Sequence, residues 1–269
     1  MLVEKRKRLE SLLRGLKGVV VAFSGGVDSA LLLAMAHAVL GRRVVAVTAR
    51  SESLPARELN AAKQLAGKFG VEHLVIETAE MESADYRANP VNRCYHCKSE
   101  LYARLCAIAG ERNLPHIVNG INADDMTDRR PGILAAAEAG VSSPLRDAGF
   151  GKQDVRALSR ELGLTVWDKP AAACLSSRVP YGQPITPEKL SMIEQAEDFL
   201  VALGFSQVRV RHHGDIARIE LLKKEIPAFF ENDCADSVYE KFKAIGFKYV
   251  ALDVAGFRSG SLNEVLEKK

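Results

Sequence analysis

This chain has no apolar run long enough to cross a membrane. The longest, from Ala30 to Leu40, is too short and contains His37. It has little surplus charge: a net +3 at pH 7 is too weak to call for nucleic acid. Low-complexity segments and detectable repeats are missing, so nothing suggests a fibre or a solenoid. There is no G-x-x-x-x-G-K-[ST] string and hence no Walker A loop. Only one C-x-x-C occurs, Cys94 and Cys97, where structural zinc usually takes four ligands. A signal peptide is not expected either. The first 18 residues are charged and place Leu9, Leu12, Leu13 and Leu16 at helical spacing, the pattern of an amphipathic helix. A cytoplasmic protein is therefore expected, with no membrane and no nucleic-acid partner. Its five cysteines are then reduced, metal-binding or catalytic rather than disulfide-bonded. With 269 residues, 47% hydrophobic and 26% charged, the chain can bury a sizeable core in one or two domains.

The chain does contain Ser24-Gly25-Gly26-Val27-Asp28-Ser29. This string follows the β-branched run 19–23 and precedes the apolar helical run 29–40. A strand that turns through paired glycines into a helix N-terminus is an anion-binding device. Backbone N–H groups point outward, the helix dipole favours negative charge, and glycine permits close approach. The hydroxyls of Ser24 and Ser29 add donors. A carboxylate beside a phosphate, here Asp28, makes sense when a cation lies between them. The blander alternative is a Gly-rich turn with a capping serine.

Strand and helix patterns alternate through the first half. Strands are expected at 19–23, 43–48, 73–77 and 116–119, and helices at 29–40, 56–69 and 97–112. Such alternation predicts an α/β fold with a parallel sheet covered on both faces. Ligands of such sheets bind at the strand carboxyl ends, where 24–29, 48–51 and 119–128 fall. Residues 167–187 carry four prolines and little periodicity, and read as a linker and active-site segment. Beyond it come a helix (187–203), a hairpin of strands (207–212 and 216–221) turning at Gly214-Asp215, a helix (233–245) and a strand (248–253). The expected domains are 1–180, nucleotide-binding, and 181–269, a small α+β domain serving substrate or oligomerisation.

Cys94 and Cys97 suit a zinc site, a redox dithiol, cluster ligation or coincidence. Cys174 is flanked by Lys169 and Arg178 in a proline-bounded segment, a setting that favours thiolate; a buried small residue is the bland reading. Three thiolates leaving one iron open would suit a [4Fe–4S] cluster. Cys106 lies in an apolar helical pattern and is expected in the core, and Cys234 opens a late helix.

The six-residue loop resembles the SGGxDS signature of the PP-loop ATP pyrophosphatases. Further blocks resemble the LarE family of ATP-dependent sulfur transferases: Asn119 to Gly132 (N-G-x-N-A-D-D-x-x-D-x-R-P-G), Trp167 to Gly182 around Cys174, and the closing stretch from Leu252 to Leu262. The resemblance runs from about residue 10 to 265. It implies a PP-loop α/β domain plus a small C-terminal domain. It also implies ATP, Mg²⁺ and a pyridinium-3,5-dicarboxylate mononucleotide whose carboxylates become thiocarboxylates for the nickel-pincer cofactor of lactate racemase. Carried over residue by residue, Ser24, Gly25, Gly26, Asp28, Ser29, Thr48 and Asp124 would contact ATP. Mg²⁺ would bridge to Asp28 and to Asp124, Asp125 or Asp128. Cys174 would be catalytic, either sacrificed to dehydroalanine or holding a [4Fe–4S] cluster with Cys94 and Cys97. Arg209 and Arg211, alternating on one strand and so sharing a face, would bind the substrate phosphate with Ser177 and Arg178. Glu197 and Glu220 fall where the family places acidic residues, and are candidate metal contacts. A homo-oligomer is also expected. A PP-loop tRNA thiolase, an amidotransferase-type or NAD synthetase, and a non-catalytic nucleotide-binding iron–sulfur protein remain the alternatives.

Overall fold

The computed structural model describes residues 1–127 and 131–266. Two compact units divide the chain: 1–86 with 92–172, and 87–91 with 173–269. The first holds α1 (Leu2–Leu16), β1 (Val19–Ala22), α2 (Val27–Leu40), β2 (Val44–Arg50), α3 (Ala56–Phe69), β3 (Glu72–Glu77), α4 (Ala84–Arg87, whose last residue falls in the second unit), α5 (Arg93–Glu111), β4 (His116–Val118), α6 (Pro131–Glu138), α7 (Pro144–Asp147) and α8 (Lys152–Glu161).

Its sheet runs β3-β2-β1-β4 with every neighbouring pair parallel, as the alternating pattern predicts. The strand period of two sorts β1 between two cores. Val19 and Val21 pack with Leu9, Leu13, Leu31, Leu32, Ala62 and Leu158, from α1, α2, α3 and α8. Val20 packs on the other face with Leu101, Tyr102 and Leu105 of α5 and Ala135 and Ala136 of α6. Helix α2 is apolar on nearly all sides because it lies between the sheet and an outer layer of helices. From β1 the chain steps outward to β2 and β3, then crosses back to place β4 on the other side of β1. The carboxyl ends of β1 and β4 therefore flank a topological switch point, where open parallel sheets bind ligands.

The second unit holds α9 (Pro187–Ala202), β5 (Val208–His213), β6 (Ile216–Leu221), α10 (Cys234–Ile245) and β7 (Tyr249–Leu252). β5 and β6 form the expected antiparallel hairpin, and β7 pairs parallel to β6. One sheet face carries Val208, Val210, Ala217, Ile219 and Leu221 against Leu200, Val238 and Phe242 of α9 and α10. Thr186 caps α9 by accepting the N–H of Lys189, and Pro187 occupies the first turn, where its missing N–H costs nothing.

Residues 87–91 join this unit through Asn89, a buried residue at φ 54°. Its side-chain amide donates to the carbonyls of Val179, Pro180 and Gln183 at 3.2, 2.8 and 3.1 Å. Its own carbonyl accepts from Gly182, and Arg87 accepts from Ile185.

One expectation is corrected. Cys106 is exposed, not in the core. The buried stripe of α5 runs through Leu101, Tyr102, Leu105 and Ala109, and Cys106 falls just outside it. No helix among the described residues is long and apolar enough to cross a membrane.

Candidate active site

In the first unit, β1 ends at Ala22 and the chain turns through Gly25, at φ 71°, into α2. A β-carbon on Gly25 would lie 3.0 Å from the Ala62 β-carbon, so both the dihedral and the packing call for glycine. The hydroxyls of Ser24 and Ser29 face each other at 3.1 Å, and Ser29 Oγ donates to the carbonyl of Gly26. Ser24 Oγ accepts the N–H of Gly26 at 3.4 Å. Among the described residues no side chain caps α2, whose N-cap is Gly26, so its first turn can receive an anion.

The loop after β4 closes on this turn. A β-carbon on Gly120 would sit 2.8 Å from the Ser29 nitrogen, so only glycine lets the two loops approach this closely. Beyond it lies Asn122, fully buried. Its amide donates to Asp28 Oδ1 at 2.8 Å, while its oxygen accepts the N–H groups of Asp124 and Asp125. Burial raises the Asp28 pKa above the ordinary carboxylate value, and the Asn122 hydrogen bond partly opposes that rise. Sequence reasoning named the N-G-x-N-A-D-D block without giving Asn122 a part. Its spacing after β4 was the available signal.

Two other residues expected at ATP have clear local partners. Thr48 is buried, and its hydroxyl donates to the Phe23 carbonyl at 2.7 Å and lies 2.8 Å from His73 Nε2. Thr48 thus ties β2 to the end of β1, directly below the loop. Asp124 accepts the N–H of Lys152 at 2.7 Å, at the N-terminus of α8. Asp125 is buried, accepts from the Asn122 N–H, and lies 3.8 Å from Lys152 Nζ. Asp128 lies outside the described residues.

Cys94 and Cys97 sit three residues apart at the start of α5, one exposed and one half-buried. Spacing and access allow both thiols to bind one metal group. Among the described residues, no three His, Cys, Asp or Glu side chains gather as a metal site.

In the second unit, Cys174 is half-buried and leads into a short 3₁₀ turn (Leu175–Arg178). Arg178 is buried there and forks onto Glu197, with Nε and Nη2 donating to the two carboxylate oxygens at 2.8 and 2.9 Å. The guanidinium beside Glu197 outweighs burial and holds its carboxyl below the ordinary range. Arg211 forks in the same way onto Glu220, at 3.0 and 2.9 Å, and also donates to the Ser177 carbonyl and to Ser261 Oγ. Arg218 bridges Glu220 to Asp253. Arg209 is less buried and stacks over Phe257, its guanidinium carbon 5.1 Å from the ring centre. Cys174, Ser177, Arg178, Arg209, Arg211, Glu197 and Glu220 all lie in this unit, and the Arg–Glu partnerships link most of them. Sequence reasoning did not foresee those pairings.

Comparison with known proteins adds four likenesses. Residues 6–108 match the family described as NAD synthase. An NH(3)-dependent NAD(+) synthetase of Aeropyrum pernix is 40% identical over 88 residues, 32% of this chain and 30% of that protein. An uncharacterized protein of Synechocystis sp. is 45% identical over 268 residues, all of both chains. The pyridinium-3,5-bisthiocarboxylic acid mononucleotide synthase of Lactiplantibacillus plantarum is 43% identical over 269 residues, covering 99% of this chain and 96% of that one.

Proposed function

The chain belongs to the LarE family, that of the pyridinium-3,5-bisthiocarboxylic acid mononucleotide synthase, and from that premise we propose an ATP-dependent sulfur transferase. It converts the two carboxylates of pyridinium-3,5-biscarboxylic acid mononucleotide to thiocarboxylates, for a nickel-pincer cofactor. The observation that carries this reading is the open, glycine-built turn at the switch point, with Asp28 presented by Asn122.

A carboxylate is a poor electrophile. Its oxygen attacks the α-phosphorus of ATP and releases pyrophosphate, leaving an acyl adenylate. The Ser24–Ser29 turn receives the pyrophosphate charge on backbone N–H groups and hydroxyls. Asp28, with Asp125 behind it and Asp128 in the same block, would hold Mg²⁺, which neutralises charge on the leaving group. A sulfur nucleophile then attacks the acyl carbon and displaces AMP. Cys94, Cys97 and Cys174 would hold a [4Fe–4S] cluster, and that group supplies the sulfide when bound. The mononucleotide phosphate is received by Arg209, while Arg211, forked onto Glu220, and Ser177, bonded to the Cys174 carbonyl, hold the neighbouring turn. The whole assembly works in the cytoplasm, on a small molecule, as a homo-oligomer.

The deciding experiment is anaerobic purification, followed by iron and sulfide analysis, product analysis and intact mass before and after turnover. AMP and pyrophosphate are the expected products, with iron lost in Cys94→Ala. ADP and phosphate would overturn the nucleotide chemistry. A protein without iron that transfers one sulfur and becomes lighter by one H₂S at Cys174 would overturn the cluster in favour of the sacrificial route.

A further inference from the structure

Arg178 heads the largest side chains that the fold buries completely, at 1% exposure. A buried guanidinium is costly unless paired and hydrogen-bonded. Glu197, at 0% exposure, supplies the pair and is itself held by the backbone N–H of Val210 at 3.1 Å. One nitrogen of Arg178 is turned elsewhere. Nη1 lies 2.6 Å from the Ala173 carbonyl, 2.8 Å from the Cys174 carbonyl and 3.0 Å from Ser177 Oγ. Ser177 Oγ donates to the same Cys174 carbonyl at 2.8 Å.

The Ala173 carbonyl belongs to the peptide before Cys174, and the Cys174 carbonyl to the peptide after it. Fixing both planes fixes φ and ψ of Cys174, here −63° and 155°. With both dihedrals fixed, the Cα–Cβ bond that carries the sulfur has one direction relative to α9 and β5. The turn's own backbone bonds, from Ser177 to Cys174 and from Val179 to Ser176, leave the Ala173 carbonyl unheld.

We propose that Arg178, carried on Glu197, is a positioning residue for Cys174: it locks the peptides on both sides so that the Cα–Cβ bond carrying the sulfur is held in one direction. This rests on the sulfur-transfer reading of Cys174, and it takes Arg178 out of the phosphate site. Lysine cannot replace it, because one ammonium cannot fork Glu197 and also reach two carbonyls.

The test is Arg178→Lys, followed in three ways. Single-turnover sulfur transfer should slow by roughly a hundredfold, the usual effect of a small misplacement of a reacting group. AMP formation and affinity for the mononucleotide should be unchanged. In the protein alone, amide hydrogen exchange should quicken far more at 175–179 than in α9 or β5. Loss of substrate affinity in step with the rate would overturn the proposal, since Arg178 would then touch substrate. So would unaltered exchange at 175–179. Should Arg178→Lys fail to fold, Glu197→Gln keeps the shape and loses the charge, and the same outcomes decide. A Cys174→Ala control that still transfers sulfur would remove the sulfur reading instead, and the exchange measurement would still judge the clamp.

Discussion

The two candidate clusters are built from opposite materials. The turn at Ser24–Ser29 is made of backbone, two small hydroxyls and two glycine contacts, and its N–H groups at α2 are left open. The Cys174 turn is made of long charged side chains, Arg178 and Arg211, each closed onto a buried glutamate. An open set of dipoles is ready for a charge that arrives from outside. A closed set of ion pairs is already satisfied, so its service is to hold geometry. The first cluster should therefore lose function without stability when damaged, and the second should lose stability first.

Glu220→Ala gives the largest expected effect. It strands Arg211 at low exposure and takes a partner from Arg218, and breaking a buried pair costs about 3–5 kcal/mol. Urea unfolding should show that loss. Full stability with normal turnover would end the contrast.

Asp28→Ala is the counterpart. AMP formation should fall by roughly 10²–10³-fold, as when one charge-stabilising group is removed from a site. The urea midpoint should stay put or rise, because burial already raises the Asp28 pKa and so works against its charge. A large drop in stability would make Asp28 a structural residue like those of the other cluster.

Arg209→Ala sharpens the comparison inside the second unit, because Arg209 is less buried than Arg211 and stacks on Phe257. Losing a charge-assisted hydrogen bond costs about 1.5–3 kcal/mol. Calorimetry should show weaker mononucleotide binding and unaltered ATP binding. Equal weakening of both would contradict the phosphate role.

The smallest effect is a pH dependence. Burial holds His212 and His213 below the ordinary imidazole value of 6.5. The unfolded chain then takes up protons more readily than the folded one. Their contribution is complete above about pH 6.5 and is lost as pH falls through the lower folded values. Denaturant midpoints read between pH 7 and pH 5 should decline, and His212→Phe should flatten part of that slope. A midpoint independent of pH would set the effect aside.

The contrast also explains what the sequence made legible. The first cluster is local: strand, glycines and helix follow one another in eleven residues of pattern, from Val19 to Ser29. Helix α3 and strand β6 have the boundaries that periodicity predicts, Ala56–Phe69 and Ile216–Leu221, for the same reason. The Arg–Glu pairs are not local. Arg178 meets Glu197 from nineteen positions away, and alternation on β5 gives the face of Arg211 but not its partner. Helices α6 and α8 also escaped notice. The buried face of α6 is little more than Ala135 and Ala136 and leaves a weak apolar period, whereas α8 is strongly amphipathic, with Val155 and Leu158 buried among charged residues, so its pattern was legible. Cys106 was misplaced by a single position on α5, the typical error when a stripe is read without its neighbours.

Asn89 carries a consequence for descent rather than for chemistry. Its amide serves three carbonyls of the later unit, yet it is encoded amid the earlier one, between α4 and α5. A gene break placed anywhere between the two units would leave those carbonyls bare in one product and an idle asparagine in the other. Neither half can be traded for a foreign domain without carrying five residues of its companion. A second unit expressed alone would keep those hydrogen bonds only if residues 87–91 travelled with it.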